Sequence, residues 1–208
     1  MNKNYYLRVL FVSCSFVMLF FSSVNAQFAN QYSFSASSGT YTPLVGGTAT
    51  SLGATDDDAV STAVPIGFNF VYNSVVATNF IASSNGRVGF LAAVGTSAAN
   101  DLATTTANLR TALAPLWDDL QCTAGVTYQL SGSAPNRVMT IEFKNMEWNY
   151  QSTTGVISFQ VKLYETTNVV EYIYQQEPTA YNAGFSGGAS IGIMGTGNTD
   201  FISLQDVS

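Results

Sequence analysis

Large apolar residues recur at every second position in several stretches of this chain. Ile66, Phe68, Phe70 and Tyr72 alternate with Gly67, Asn69 and Val71. Met139, Ile141 and Phe143 alternate with Thr140, Glu142 and Lys144, and Ile157, Phe159, Val161 and Leu163 alternate with Ser158, Gln160, Lys162 and Tyr164. Successive side chains of a β-strand point to opposite faces, so each run predicts a strand with one face buried. No stretch holds a helical spacing for three turns; the best, Thr105–Leu113 with Leu109 and Leu113, is enough for one or two turns at most.

Turn residues fall between the runs. Asn85-Gly86 separates two apolar stretches and suits a type I′ hairpin, because both residues tolerate positive φ. Asn73-Ser74 is expected to reverse the chain in the same way with a weaker signal, and Thr167-Asn168 separates another pair of strands. Ser131–Asn136 and Thr179–Gly188 read as longer loops, and Ser35–Asp58, poor in large residues, as a wrap around the sheet edges. Ten to twelve strands are expected, near 31–35, 41–45, 65–72, 75–83, 87–91, 113–119, 125–130, 137–147, 156–165, 168–175, 189–194 and 200–204. Many short strands without helices predict an all-β protein, a jelly-roll-like antiparallel β-sandwich.

The first 26 residues stand outside this pattern. Lys3 and Arg8 precede an apolar run, Val9 to Phe21, and Ser22-Ser23-Val24-Asn25-Ala26 then offers small residues before Gln27. This is the form of an export signal cleaved near Ala26. The run is short for a membrane span and no second one follows, so the expectation is a secreted or cell-surface protein with no membrane span. Residues 27–208 are read as one extracellular domain.

Cleavage removes two basic residues and leaves five against thirteen acidic ones, a net charge of −8. An acidic surface with no basic cluster excludes nucleic acid as a partner. Cys14 lies in the signal, so Cys122 has no internal disulfide partner. No Asn-x-Ser/Thr acceptor occurs, which accords with a bacterial source.

The composition also bears on catalysis. There is no histidine, so Ser-His-Asp and Cys-His nucleophile sets and the usual zinc sites are excluded. No Gly-rich loop carries the Lys-Ser/Thr of a phosphate-binding loop. Paired carboxylates remain, and a carbohydrate-active enzyme would draw on two of Glu142, Glu171, Asp118 and Asp119. The simpler account makes Glu142 and Glu171 solvent-facing strand residues paired with Lys144 or Lys162, and no catalytic residue is assigned. Asp56-Asp57-Asp58 and Asp118-Asp119 are the densest acidic spots and the candidate ligands for a structural calcium. The alternative for them is solvated turns with Asp side chains capping backbone N–H groups. No other cofactor is expected. Trp117, among leucines, reads as core, whereas Trp148 and Tyr150, near a strand end, are the candidate glycan-stacking pair. Tyr172 and Tyr174 suit either core or a surface aromatic strip.

Several short motifs then follow one another in order: Tyr41-Thr42-Pro43-Leu44, Asp56-Asp57-Asp58, Pro65-Ile66-Gly67-Phe68-Asn69-Phe70, Ser83-Ser84-Asn85-Gly86, Ala114-Pro115-Leu116-Trp117-Asp118-Asp119 and Ala134-Pro135-Asn136-Arg137. The ordered set resembles the N-terminal β-sandwich module of surface or secreted proteins exported by bacterial type IX secretion. Ala114–Asp119 is also similar to the Ala-Pro-Phe-Trp-Ala-Asp stretch of nidogen-like extracellular domains. The resemblance implies a non-catalytic module for adhesion, glycan contact or spacing, or a purely structural N-terminal cap. Its partners would be a glycan, a surface protein or downstream domains of a parent chain. Such modules precede fibronectin-type repeats and a sorting domain. Neither is present here, so the expectation includes a fragment lacking its final strand.

Overall fold

The computed structural model describes residues 28–90, 94–151, 156–175 and 188–205. The expected export signal and most of the expected Thr179–Gly188 loop lie outside them. Eleven strands form among the described residues: β1 (Thr48–Ala49), β2 (Val64–Tyr72), β3 (Val75–Ser83), β4 (Arg87–Gly89), β5 (Ala112–Trp117), β6 (Val126–Ser131), β7 (Val138–Glu147), β8 (Val156–Tyr164), β9 (Val170–Tyr174), β10 (Ser190–Met194) and β11 (Phe201–Gln205). They pair antiparallel in two sheets, one ordered β1-β6-β7-β8-β9 and the other β11-β10-β5-β4-β3-β2. The expected all-β sandwich is therefore the fold, and among the described residues helix is confined to two 3₁₀ turns, Ala29–Gln31 and Ala107–Leu109.

Between the sheets lies the main core. It draws Ile66, Phe68, Phe70 and Tyr72 from β2, Met139, Ile141 and Phe143 from β7, and Phe159, Val161 and Leu163 from β8. These are the alternating positions of the sequence pattern, and β2 follows that pattern along almost its whole length. Strand β5 breaks it, being buried at all six positions. Leu113 and Leu116 face the main core, while Ala112, Ala114 and Trp117 enter a second core beneath the β4–β5 connection with Val94, Leu102 and Leu109. Pro115 is tolerated in this central strand because the ladder with β10 is bulged opposite it, between Ser190 and Gly192.

Four local expectations are corrected. The segments near 31–35 and 41–45 are not strands, whereas the unforeseen Thr48–Ala49 pairs with β6. Tyr41 and Leu44 lie instead across the outer face of β7 and β8, where the Tyr41 hydroxyl and the Leu44 N–H donate to Glu142 Oε1 at 2.8 and 2.9 Å. Of the two tight turns, Asn73-Ser74 takes the expected form and Asn85-Gly86 does not. Asn73 and Ser74 both have positive φ, 51° and 62°, between the directly paired Tyr72 and Val75, the two-residue geometry expected of Asn85-Gly86. Ser84-Asn85-Gly86 is a three-residue connection: the Gly86 N–H donates to Ser83 O at 3.0 Å and Gly86 alone takes positive φ, 70°.

Tyrosine hydroxyls tie distant segments together. Tyr72 reaches Met194 O at 2.9 Å, Tyr172 reaches Gly192 O at 2.9 Å, and Tyr174 donates to Pro115 O. Burial raises the pKa of Tyr72, Tyr172, Tyr174, Tyr164 and Tyr32 above the ordinary 10.0. A raised folded-state pKa gives stability that is complete below pH 10.0 and falls as pH climbs toward the folded values, since the unfolded tyrosines ionise first. Arg87 and Arg110, whose pKa values burial lowers, act in the opposite sense, but as two groups against five. Alkaline titration is therefore expected to unfold the protein cooperatively above pH 10, with tyrosinate absorbance rising in step with loss of near-ultraviolet dichroism. Tyrosinate beyond that of exposed tyrosines such as Tyr150, appearing well before the dichroism falls, would show that these five hydroxyls are open to solvent.

Candidate functional site

Three connections converge at one end of the sandwich. The chain from β1 to β2 carries Asp56, Asp57 and Asp58, the β3–β4 turn carries Asn85, and the segment after β5 carries Asp118 and Asp119. Backbone bonds fix their approach: the Thr55 N–H donates to Cys122 O at 2.8 Å, the Cys122 N–H to Asp56 O at 3.0 Å, and the Ser84 N–H to Ala59 O at 2.9 Å. Carboxylate oxygens of Asp57, Asp58 and Asp119 consequently lie within 4.8 Å of one another. The other two candidate ligands are not brought in. Asp56 Oδ2 caps the Gly53 N–H at 2.8 Å, and Asp118 Oδ1 accepts from the Asp119 N–H at 2.9 Å. The sequence-level alternatives thus divide between residues: Asp56 and Asp118 cap turns, and Asp57, Asp58 and Asp119 form a cluster.

Among the described residues the ion pair is Arg137–Glu165, which involves none of the cluster. The Asp57 carboxyl is raised above its ordinary pKa by burial and then by Asp58. Asp119 is raised by burial and then by Asp57, Asp58 and Asp118. Two oxygens here lack a protein donor. Asp57 Oδ1 is buried and unpaired, and so is Asn85 Oδ1, on a side chain that is 0% exposed. The same Asn85 amide donates through Nδ2 to Asp58 Oδ1 at 2.8 Å and to Thr96 O at 2.7 Å, which holds it against the cluster.

Glu142 is not solvent-facing. It is 2% exposed, sealed by the 41–44 segment, and its Oε1 accepts from Tyr41, Leu44 and, at 2.8 Å, Gln160 Nε2. Glu171 stands directly opposite Lys162 on the neighbouring strand and accepts from the Tyr164 hydroxyl at 2.6 Å. The two glutamates share a sheet face, with β8 between their strands and two register steps between their positions. Strand spacing puts their Cα atoms about 12 Å apart. Trp148 is half-buried against the main core, while Tyr150 is exposed and its hydroxyl accepts from Gln151 Nε2 at 2.8 Å. Trp117 is core, as expected.

A second feature was missed in the sequence. Edge strand β9, strands β10 and β11 and the 31–37 segment line a cleft of about 900 Å³. Its lining combines the hydroxyl residues Ser33 and Ser35 with the aromatic residues Tyr172 and Phe34, the latter 58% exposed. The alternating Tyr172 and Tyr174 were the only signal; the 31–37 wall is more than a hundred residues away along the chain.

Among the described residues no helix is long and apolar enough to cross a membrane. No curated protein and no solved structure matches the chain. The family model described as NIDO related matches residues 31–208. That match takes in both sheets, the acidic cluster and the cleft, and it covers most of the sequence; the chain belongs to the NIDO-related (nidogen-related) family of extracellular-type domains.

Proposed function

We propose that this chain is a non-catalytic module of a secreted or cell-surface bacterial protein, exported with a signal cleaved near Ala26, and that it contacts a glycan or a surface protein. Export by the type IX route and attachment to downstream domains belong to the same reading. The observation that carries it is the cleft beside β9. Its mixture of hydroxyls and aromatic ring faces suits a neutral polyol, which presents both hydroxyls and apolar C–H faces. Tyr150, beside Trp148, adds a second exposed ring to this reading. Family membership and the sequestration of Glu142 support a binding role rather than turnover.

A polysaccharide panel tests it. The mature chain is expected to bind at least one glycan without releasing reducing sugar. Phe34→Ala should weaken that binding about tenfold, the loss of one stacking contact of ~1.4 kcal/mol. Tyr150→Ala tells whether the second ring contributes. Release of reducing sugar, abolished by Glu142→Gln, would replace this reading with the carbohydrate-active one. No binding to any glycan would leave surface-protein contact or spacing as the role.

A further inference from the structure

We propose that Asp57, Asp58 and Asp119, closed by the amide oxygen of Asn85, form a calcium site that ties three connections of the fold together. Nothing in this proposal depends on glycan binding.

Three carboxylates on separate connections do not by themselves make a metal site, because solvated acidic turns are common. Two further observations distinguish this one. Asn85 is completely buried, its amide nitrogen is held 2.8 Å from Asp58, and its oxygen has no protein donor. An unpaired buried amide oxygen costs about 1–3 kcal/mol, so its persistence calls for a partner that no side chain supplies. Asp57 Oδ1 is a second such oxygen. Unpaired buried side-chain atoms number four among the described residues, and two of them are at this cluster.

The chemistry of the set selects the ion. All four ligands are hard oxygens, three of them anionic, with no histidine in the chain and with Cys122 buried as a thiol that burial pushes up to about 12. Oxygens bound to one calcium at ~2.4 Å are at most ~4.8 Å apart, and the three carboxylates meet that limit. Calcium also tolerates irregular shells completed by water and loop carbonyls, whereas magnesium demands near-ideal octahedra. The cluster joins the β1–β2 connection, the β3–β4 turn and the segment after β5, so a bound ion cross-links parts of the chain up to 62 residues apart. Its dissociation constant should fall in the range of extracellular modules, ~10⁻⁴–10⁻³ M.

The test is thermal unfolding of the EDTA-treated mature chain titrated with calcium chloride, and in parallel with magnesium chloride. At about ten times its dissociation constant, calcium is expected to raise Tm by about 3–6 °C for a domain of this size. Asp119→Asn should abolish that rise. It should also leave the metal-free Tm unchanged or higher, because it removes one of three mutually repelling charges while keeping the shape. Asp58→Asn provides a second, independent loss of response. A turn-capping role predicts the reverse for Asp119→Asn, a lower metal-free Tm. Identical melts in EDTA and in excess calcium would overturn the proposal. So would a calcium response that survives both substitutions, or an equal response to magnesium.

Discussion

Gly86→Ala is expected to lower the unfolding free energy by about 2–5 kcal/mol, the sum of a left-handed backbone penalty and an overpacking penalty. Gly86 has φ +70°, and a Cβ placed there would meet Leu116 O at 1.9 Å and Leu116 C at 2.9 Å. Those atoms belong to β5, which is buried along its length and cannot yield without displacing core side chains. Gly46 provides the internal comparison. It has almost the same φ, +73°, with nothing within 4 Å of the added Cβ. Gly46→Ala should therefore cost only the backbone term, about 1–2 kcal/mol. Urea denaturation of both variants, at unchanged m-value, measures the difference. Equal losses would mean that the β3–β4 turn does not press on β5.

Arg87→Ala should cost a similar amount, about 3–5 kcal/mol, the class of loss expected when a buried polar hub is cut out of a core. Arg87 is 0% exposed. Its guanidinium stacks 4.3 Å from the Trp117 ring and donates to Gly95 O at 3.0 Å and to Ser97 O and Leu109 O at 3.4 Å. Burial brings its pKa down to about 10, which still leaves it charged at neutral pH. Truncation would strand the Gly95 and Leu109 carbonyls, leave Ser97 O with the Trp117 Nε1–H alone, and open a cavity under the β4–β5 connection. Arg87→Met refills most of the volume without restoring the hydrogen bonds, so it should recover part of the loss. Hydrogen exchange of residues 94–110 should accelerate in both variants while the β7–β8 ladder keeps its protection. Full recovery in Arg87→Met would show that the carbonyl contacts contribute nothing net.

The legible parts of this fold were those where one strand face carries large apolar side chains for the core and the other carries polar ones. Strand β2 buries alternate residues, and β7 and β8 turn their alternate apolar residues to the main core, so period two in the side-chain type betrayed them. Strand β1 is two exposed residues long and carries no such period, and β5 lost its alternation because a second core covers its outer face. Glu142 was misread for the same reason: a segment 98 residues away covers a strand face that local sequence marks as wet. The Asn85-Gly86 turn departed from its expected form because Asn-Gly chemistry permits positive φ at two residues without demanding it. In Ser84-Asn85-Gly86 packing against β5 places the left-handed residue at Gly86 alone. The acidic cluster was half legible. Residue type announced five aspartates, yet only the tertiary fold decided which three meet, and Asn85 gave no sign of joining them.

Both buried arginines are held by the main chain. Arg110 donates to the carbonyls of Gly195 at 3.2 Å and Asp200 at 2.8 Å, and also to those of Leu102 and Gly197, much as Arg87 does to its own three. Peptide dipoles bonded to a desolvated cation offer dissolved ions little to screen, unlike pairs of opposite charges at a surface. The long β4–β5 connection is thus fastened by contacts indifferent to salinity, which lets the same framework hold in dilute and in briny surroundings.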